Sequence, residues 1–365
     1  MTSDFPKFSK LRILIFNWRD LAHPLAGGAE VYTHRVAEEW IKMGHEVTLF
    51  CASVVGKPEL EDLNGLKIIR RGGKHSVYRE AKKFYKKEGR GNFDLVIDEV
   101  NTRPFGATEW VADAQAIALI HQVCREIWFY EVPFLIAIIG RYILEPRWLR
   151  EYKNVQIITI SQSSKESLKL YGLNKVDIVP VGCDFLNEVS QAEKEVVPTI
   201  IFVGRLARNK RPDVAIAAYR LLKEQLPTAV LKIVGTGPLE KRIKQSAPDG
   251  VHFLGRLSQD EKDRHVSSAH ALVATSVREG WGLVVTESAI LGTVTVAYDV
   301  PGLRDSVKAS GGILCQPNPE SLNEALKSFF SDTSQERYMN ESSNGVLPWH
   351  EVASRILNIF FIQYE

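Results

Sequence analysis

The segment REGWGLVVTE, residues 278 to 287, carries two carboxylates and two glycines where a predicted strand passes into a helix. Gly280 and Gly282 leave so little Cβ bulk that main-chain N–H groups at the helix start can approach an anion. A phosphate suits such a site, because the helix macrodipole also favours negative charge there. Glu287, in the helix, can accept the hydroxyl groups of a ribose, while Glu279 lies in the loop. Alternatively, Glu279 is a favourable charge at a helix start and Glu287 is a solvated residue.

A second cluster, GRLARNK at residues 204 to 210, closes the predicted strand TIIFVGR. Arg205 and Lys210 bracket the following turn, so both cations can converge on one site. The guanidinium spans two phosphate oxygens and the ammonium acts as a point charge. Together they can neutralise a diphosphate. Alternatively, both are ordinary surface charges near the first turn of a helix.

Further glycines and histidines lie near strand ends. In AGGAE, residues 26 to 30, Gly28 and the glycine before it precede a helix and offer another approach for phosphate. The G-x-G-x-x-G spacing and the acidic ribose partner are both missing, which argues against a dehydrogenase. We expect GTGPLE, residues 235 to 240, to be a structural turn, and His45 to be structural. His121 ends the strand IALIHQ and is expected to face a cleft, although a lone histidine is more often structural.

The elements that position these residues follow from hydropathy. Short apolar, β-branched runs alternate with segments of helical period along the whole chain, which predicts parallel sheets covered by helices. Strands are predicted at residues 12–17, 46–52, 67–71, 94–100, 117–122, 155–161, 199–205, 231–237, 251–256, 271–276 and 293–299. In the first half, helices are predicted near residues 29–43, 77–88, 125–150 and 163–171. The polar segment from Asn187 to Pro198 is the predicted linker.

This alternation predicts an α/β protein with two doubly wound, Rossmann-like domains, residues 1–186 and 187–348, facing a central cleft. A helix over about residues 349–365 is expected to pack back onto the first domain. Ligands of such sheets bind outside the carboxyl ends of the strands, so the polar groups at the strand ends are expected to line the cleft.

Length and composition agree with two globular domains. The chain has 365 residues, 45% hydrophobic and 25% charged, which excludes disordered, collagen-like and coiled-coil classes. A formal net charge of +2 is too small for general electrostatic binding to nucleic acid, and no nucleic-acid partner is expected. The four cysteines form no Cys-x-x-Cys pair and no Asp-x-Asp occurs, so neither a disulfide framework nor a metal site is predicted.

The sequence also bears on location. The amino-terminal residues MTSDFPKFSK have no apolar core of a signal peptide. The most apolar stretch, Ile127 to Gly140, carries Glu131 and Pro133 and is too short to cross a membrane. We therefore expect a cytoplasmic protein that can lie on a membrane without spanning it.

Taken together, these motifs resemble retaining glycosyltransferase family 4, also called glycosyl transferase group 1, which has the GT-B fold. The matching features are Gly28, His121, the Arg205 and Lys210 pair, the GTGP turn, and Glu279 and Glu287 with seven residues between them. The resemblance covers nearly the whole chain, and the combination is more specific than any one motif. It implies transfer of a hexosyl group from a UDP- or GDP-sugar, held mainly by the second domain, to an acceptor bound mainly by the first.

The resemblance also assigns roles on the donor side. The residues concerned are Gly28, Arg205, Lys210, Arg256, Gly282, Leu283, Val284 and Glu287. Arg205 and Lys210 would hold the diphosphate and Glu287 the ribose. The main chain near Arg256 would meet the base, and Gly28 would approach the distal phosphate.

The remaining assignments concern the reacting sugar and the acceptor. His121 and Glu279 would face the transferred sugar as the catalytic residues, and Trp18 and Arg19 lie on the acceptor side. Trp281 stands where many relatives have Phe, which bears on sugar selectivity.

The implied reaction needs no metal or other cofactor, because two cations and a helix start meet the charge that develops on the leaving diphosphate. For retention, the acceptor hydroxyl attacks the face that the diphosphate leaves, and a phosphate oxygen takes its proton. Two other classes remain open: a sugar-nucleotide epimerase or glycan phosphorylase on the same fold, and a two-domain sugar-binding protein without catalysis. A diphosphate cradle argues against the last class.

Residues 77 to 88, VYREAKKFYKKE, place apolar and basic side chains on opposite faces of a helix. The basic face includes Lys82, Lys83, Lys86 and Lys87. One interpretation is a sheet-covering helix with a solvated face. The other is that the basic face meets anionic lipid headgroups while the stretch 127–140 dips into the interface. It predicts peripheral contact with the inner face of the membrane and a glycan or lipid-linked acceptor in cell-envelope polysaccharide assembly.

Overall fold

The structure, a computed structural model, describes residues 10–183, 192–332 and 346–362. Strands of the first half form one sheet, made of β1 (Arg12–Phe16), β2 (Glu46–Cys51), β3 (Leu60–Leu63), β4 (Leu66–Arg70), β5 (Leu95–Glu99), β6 (Gln115–Leu119), β7 (Ile157–Thr159) and β8 (Val176–Ile178). Their order is β3-β4-β2-β1-β5-β6-β7-β8, and only the β3–β4 pair is antiparallel. The sequence did not predict β3, because LEDL, an exposed edge strand, has two acids and no apolar run.

The helices of the first half are α1 (Gly28–Lys42), α2 (Val77–Phe84), α3 (Ala107–Trp110), α4 (Trp128–Glu131), α5 (Phe134–Ile139), α6 (Glu145–Arg150) and α7 (Gln162–Lys169). The prediction of one helix over residues 125–150 is wrong. A 3₁₀ turn precedes α4, and a π-helical turn, Gly140–Leu144, joins α5 to α6. The break between α4 and α5 falls at Pro133, which has no N–H to donate and favours an extended Val132 before it.

After the short β9 (Gly182–Cys183), the alternation restarts as a second parallel sheet. Its strands are β10 (Thr199–Val203), β11 (Val230–Val234), β12 (Val251–Gly255), β13 (Ala271–Ala274), β14 (Val294–Tyr298) and β15 (Ile313–Cys315), in the order β12-β11-β10-β13-β14-β15. Its helices are α8 (Pro212–Gln225), α9 (Glu240–Ser246), α10 (Gln259–Ser268), α11 (Leu283–Ile290), α12 (Leu303–Ser310) and α13 (Pro319–Ser331). The three-residue β15 was not predicted, because it is too short to show a period.

Both faces of the first sheet are covered, because successive side chains of a strand point in opposite directions. Ile13 of β1 belongs to an apolar cluster with Trp40 of α1 and Leu357 near the carboxyl terminus. Leu14, the next residue, belongs to another cluster with Phe84 of α2. Continuous apolar strands are therefore buried on both sides, as the hydropathy pattern predicts.

The carboxyl-terminal helix α14 (Trp349–Ile362), preceded by β16 (Leu347–Pro348), returns to the first sheet. The indole Nε1 of Trp40 donates to the carbonyl of Ala353 at 3.0 Å. A Cβ on Gly182 would lie 2.5 Å from the Trp349 ring, so this close approach requires glycine. The predicted domain boundary at residue 186 and the linker residues 187–191 lie outside the described residues, as do 363–365 of the predicted helix.

Candidate active site

The loop after β13 presents the start of α11 to the cleft edge of the second sheet. Gly282 has a φ of +94°, a left-handed conformation that favours glycine, and α11 begins at the next residue, Leu283. Within the described residues no side chain caps this end. The N–H groups of the first turn have no helical acceptor and suit an anion.

Glu279 is held at its side chain and its main chain. The Lys210 ammonium forms an ion pair with Glu279, and the Ser276 hydroxyl donates to the same carboxylate at 2.6 Å. The Glu279 N–H donates to the carbonyl of Pro301 at 3.0 Å. A Cβ on Gly302 would lie 2.1 Å from the Glu279 carbonyl oxygen, so the two loops touch through their main chains. The strand-end cation and the loop carboxylate predicted from sequence therefore lie together.

The GTGP turn is structural, as predicted. A Cβ on Gly235 would lie 2.0 Å from the carbonyl oxygen of Gly204, and one on Gly237 would lie 2.5 Å from that of Leu206. The two glycines thus allow this turn to pack directly on the main chain of GRLARNK. His45 is also structural, since its Nδ1 accepts the N–H of Leu11 at 3.2 Å.

Three other predicted donor residues are less enclosed. Arg205 and Arg256 are exposed after β10 and β12, and within the described residues no ion pair or hydrogen bond holds either guanidinium. Glu287 is partly exposed on α11 and accepts a hydrogen bond from the Lys262 ammonium of α10 at 2.6 Å. These side chains are available to an incoming ligand, although Glu287 would have to exchange or share its lysine.

His121 is fixed by a buried carboxylate on the first-domain side. Its Nε2 lies 3.0 Å from Oε1 of Glu99, which is fully buried at the end of β5. The Thr33 hydroxyl donates to the other oxygen of Glu99 at 2.5 Å, and the Tyr32 ring meets the imidazole edge to face at 5.0 Å. Glu99 was not predicted from sequence, although an acid at the end of the strand beside IALIHQ was a usable signal.

The acceptor-side residues predicted after β1 form one cation-aromatic unit. The Arg19 guanidinium lies 4.4 Å from the centroid of the Trp18 ring and is paired with Glu30 at 2.8 Å. The Glu30 carboxylate also accepts the N–H of Gly27, at the start of α1, at 2.6 Å. Burial raises the pKa of Glu30, while Arg19 opposes that shift. This ion pair occupies the space beside the start of α1.

The two domains meet at the predicted site. A Cβ on Gly28 would lie 3.1 Å from the Leu283 side chain, so the starts of α1 and α11 are neighbours across the cleft. A Cβ on Gly280 would lie 3.0 Å from the main-chain oxygen of His121. The loops that carry Glu279 and His121 are therefore in contact.

Trp281 has a packing position. Its side chain is buried with the apolar cluster under the first sheet, and its Nε1 donates to the Thr286 hydroxyl at 2.9 Å. The indole therefore fills space between the two domains. Within the described residues, no group of three or more His, Cys, Asp or Glu is arranged to hold a metal ion. The side chains described at this site are carboxylates, cations and a histidine beside two helix starts.

Two facing Rossmann-like domains of this kind define the GT-B fold. Two family models match adjacent parts of the chain: Glycosyltransferase Family 4 over residues 26–185 and Glycosyl transferases group 1 over residues 186–345. The chain belongs to glycosyltransferase family 4, whose members build glycans.

Comparisons over the full length agree with this assignment. The chain is 25% identical to an uncharacterized glycosyltransferase of Methanocaldococcus jannaschii, over 97% of this chain and 99% of the relative. Sucrose-phosphate synthase from Thermosynechococcus elongatus superimposes with a TM-score of 0.77 at 18% identity, over 97% of this chain and 99% of that one. Anabaena HepE in complex with UDP-glucose gives 0.73 at 14% identity, over 96% and 99%. The two structures support the GT-B fold.

Proposed function

We propose that this glycosyltransferase moves a hexosyl group, with retention of configuration, from a UDP- or GDP-sugar to a glycan or lipid-linked acceptor, and that it needs no metal. The observation that carries the proposal is the contact between the Glu279 loop and the His121 main chain beside the partly exposed start of α11. It brings an anion-accepting helix start, a cation and two candidate catalytic side chains to one place.

The donor would lie mainly on the second domain. Arg205 and Lys210 are suited to the diphosphate, the first-turn N–H groups of α11 to its oxygens, and Glu287 to the ribose hydroxyls. The neighbouring Anabaena structure contains UDP-glucose, which favours uridine among the candidate bases. Arg256, exposed after β12, is on the side expected for the base.

In the proposed reaction, the bond from the anomeric carbon to the diphosphate breaks and a bond from that carbon to the acceptor oxygen forms on the same face. The proton of the acceptor hydroxyl passes to an oxygen of the leaving diphosphate. Lys210 and the α11 start meet the negative charge that develops on this leaving group. Glu279 and His121 bracket the sugar, and Glu99 keeps the imidazole in one orientation.

The donor site is tested by ligand stabilisation. A nucleoside diphosphate at 100 times its dissociation constant should add about 2.7 kcal/mol to the free energy of unfolding. The measurement is the melting temperature with UDP or GDP in the presence of EDTA, with uridine as the control that lacks phosphates. If neither diphosphate raises the melting temperature more than uridine does, the donor assignment fails. Loss of a UDP-sugar without any acceptor would instead identify an epimerase.

The acceptor proposal includes a membrane surface. The side chains of Lys82, Lys83, Lys86 and Lys87 are exposed on α2 and its π-helical extension, while Ala81 and Phe84 are buried. A second feature, which we call the apolar surface, consists of six exposed side chains on α5 and the turn after it: Phe134, Leu135, Ile136, Ile139, Tyr142 and Ile143. Among the described residues, no helix is long and apolar enough to cross a bilayer.

Strand register puts α2 and α6 on one side of the first sheet, and the turn that carries part of the apolar surface leads directly into α6. Val96 of β5 belongs to the apolar cluster under α2. Asp98 lies two residues further along β5, so its side chain points to the same face of the sheet. Asp98 is in register with Ala118, and Ala118 with Ile157, in the cluster under α6. A basic face and an apolar face on the same side suit an anionic bilayer.

Liposome co-sedimentation tests this contact. Each cation near an anionic surface contributes about 1 kcal/mol, so binding to anionic vesicles should fall at high salt. It should also fall when Lys82, Lys83, Lys86 and Lys87 are changed to Glu. A matched variant changes four exposed cations of the second domain to Glu, namely Lys241, Arg242, Lys244 and Lys327. Equal binding by both variants and the wild type would point to a scaffold helix and an acceptor that is not in a membrane.

A further inference from the structure

Residues 126–145 form the segment that bears the apolar surface. Hydrogen bonds join both ends of this segment to the loops of the candidate active site. At the amino end, Glu126, just before α4, accepts from Nε of Arg278 at 2.9 Å, and Arg278 directly precedes Glu279. At the carboxyl end, Glu145, the first residue of α6, accepts the main-chain N–H of Cys124 at 2.6 Å. Cys124 lies three residues after His121. Each end of the segment is thus bonded to a loop that carries one candidate catalytic residue.

The Arg278 contact crosses between the domains. The Arg278 side chain is 7% exposed, and its Nη1 also donates to the Ser167 hydroxyl of α7 at 3.2 Å. Glu126 is the carboxylate in this contact, so removing its charge would leave a buried guanidinium without compensation. Glu126 supplies the charge, and Ser167 a further acceptor, that hold Arg278 from the first-domain side.

The Glu145 contact fixes an unusual main chain. Arg125 has a φ of +43°, a left-handed conformation that is costly for a residue with a side chain. Its N–H donates to Oε2 of Glu145 at 3.1 Å, and the Tyr171 hydroxyl donates to the same oxygen at 3.2 Å. The Glu145 side chain is 5% exposed, and burial raises its pKa. The loop from His121 to Glu126 therefore depends on where α6 lies.

We propose that Glu126 and Glu145 are positioning residues through which an anionic bilayer, bound at the apolar surface, orders the two active-site loops. The inference rests on the proposed membrane contact and adds a function to it. Lipid binding restricts the orientations open to the segment between Glu126 and Glu145. Because both ends are bonded to the loops, that restriction favours the arrangement in which Arg278 and Cys124 are held. The two active-site loops are then most ordered at the bilayer surface, where a lipid-linked acceptor is found.

The test uses hydrogen–deuterium exchange of the full chain with vesicles of phosphatidylglycerol and of phosphatidylcholine. Anionic vesicles should slow exchange of residues 278–287 by about threefold or more, a typical coupling between linked sites. The readout needs no donor or acceptor, so it is independent of the donor assignment. The key variant is Glu126→Gln, which keeps the shape of the side chain and removes its charge.

Glu131→Gln is the matched control, because Glu131 is exposed on the same segment and lies in no ion pair within the described residues. Glu126→Gln should still co-sediment with anionic vesicles but lose the protection of residues 278–287, while Glu131→Gln keeps both. If the wild type binds vesicles without protection, or if Glu126→Gln stays protected, the coupling is wrong. A wild type that does not bind vesicles overturns the coupling and the membrane contact together.

Discussion

Glu279 and Glu287 are two carboxylates of one loop-helix unit with different surroundings. Glu279 is enclosed by Lys210 and Ser276 next to the His121 loop. Glu287 is partly exposed and paired with Lys262. We therefore expect Glu279 to act on the sugar during transfer and Glu287 to act on the bound nucleotide.

These roles separate in two variants. Glu279→Gln preserves shape but removes charge, so turnover should fall about 100-fold, as for loss of a stabilising group in the transition state, while nucleotide affinity is kept. Glu287→Ala should weaken nucleotide binding about 10-fold, the cost of losing hydrogen bonds to a charged group. Steady-state kinetics and calorimetric titration with the nucleotide give both numbers. Unchanged affinity in Glu287→Ala would remove the ribose role.

At the scale of elements, the site depends on main-chain contacts between loops. Gly235 has a φ of +128° and approaches the carbonyl of Gly204, so the turn after β11 supports the turn after β10, which leads to Lys210. The turn after β14 supports Glu279 in the same way through Gly302. Loops that pack main chain on main chain leave little room for side-chain variation.

Gly235→Ala should therefore destabilise the protein by at least about 2 kcal/mol, since it adds a steric clash to backbone strain. Gly91→Ala is the control, because Gly91 also has a positive φ, +75°, but nothing lies within 4 Å of the position its Cβ would take. The difference between the two variants in chemical denaturation measures the clash. Equal losses would mean that the turn relaxes and that close approach does not matter there.

Asp98, near the end of β5, makes the stability of the first domain depend on pH. Its carboxylate accepts the N–H groups of Phe105 and Ala107 and the hydroxyl of Tyr152. Complete burial nevertheless raises its pKa to about 6, because desolvation disfavours the charged form. The folded state therefore holds the proton more tightly than the unfolded chain, where the pKa is about 3.9.

The contribution of Asp98 protonation to the free energy of unfolding is fully present below about pH 4 and is lost as the pH rises through about 6. Asp98→Asn does not titrate, so the wild type should lose about 2 to 3 kcal/mol relative to this variant between pH 4 and pH 7. Urea unfolding of both proteins across that range provides the comparison. Any effect of the amide on hydrogen bonding is a constant offset, and parallel curves would contradict the raised pKa.

At the scale of the whole molecule, the domain contact brings the loops of the candidate site together. Gly280 packs on the His121 main chain, and Trp281 is buried against the first-domain cluster. The loop that carries Glu279 is thus shaped by the first domain as well as by its own sheet.

With a leaving group that also accepts the proton, attack on the same face is the expected course of the reaction. The product should therefore keep the anomeric configuration of the donor. Anomeric coupling constants in the NMR spectrum of the first-formed product decide the matter, with the donor sugar as the reference. An inverted product would require a base on the opposite face and would exclude the proposed mechanism.

Much of this architecture could be predicted from sequence, because the period of the hydropathy pattern indicates which face of a helix or strand is apolar. Eleven of the strands, the amphipathic helix α2 and the helix α14 were predicted within a few residues, whereas β3, β8 and β15 were not. The prediction of one helix over residues 125–150 was wrong. The apolar composition of this stretch suggested a continuous helix, but Pro133 breaks it. The strand-end placement of His121, Lys210 and Glu279 followed from the rule that parallel sheets expose one edge to ligands.

Pairings between distant residues were decided only by the tertiary structure. Thr33 meets Glu99, 66 residues away, because β1 and β5 are neighbours in the sheet order. Arg278 meets Glu126, 152 residues away, because the two domains pack against each other. Hydropathy period carries no information on which buried charges meet, since that depends on sheet order and on the distance between domains. The sequence by itself determined the fold class and the cleft edge, whereas the packing determined which side chains hold the catalytic candidates in place.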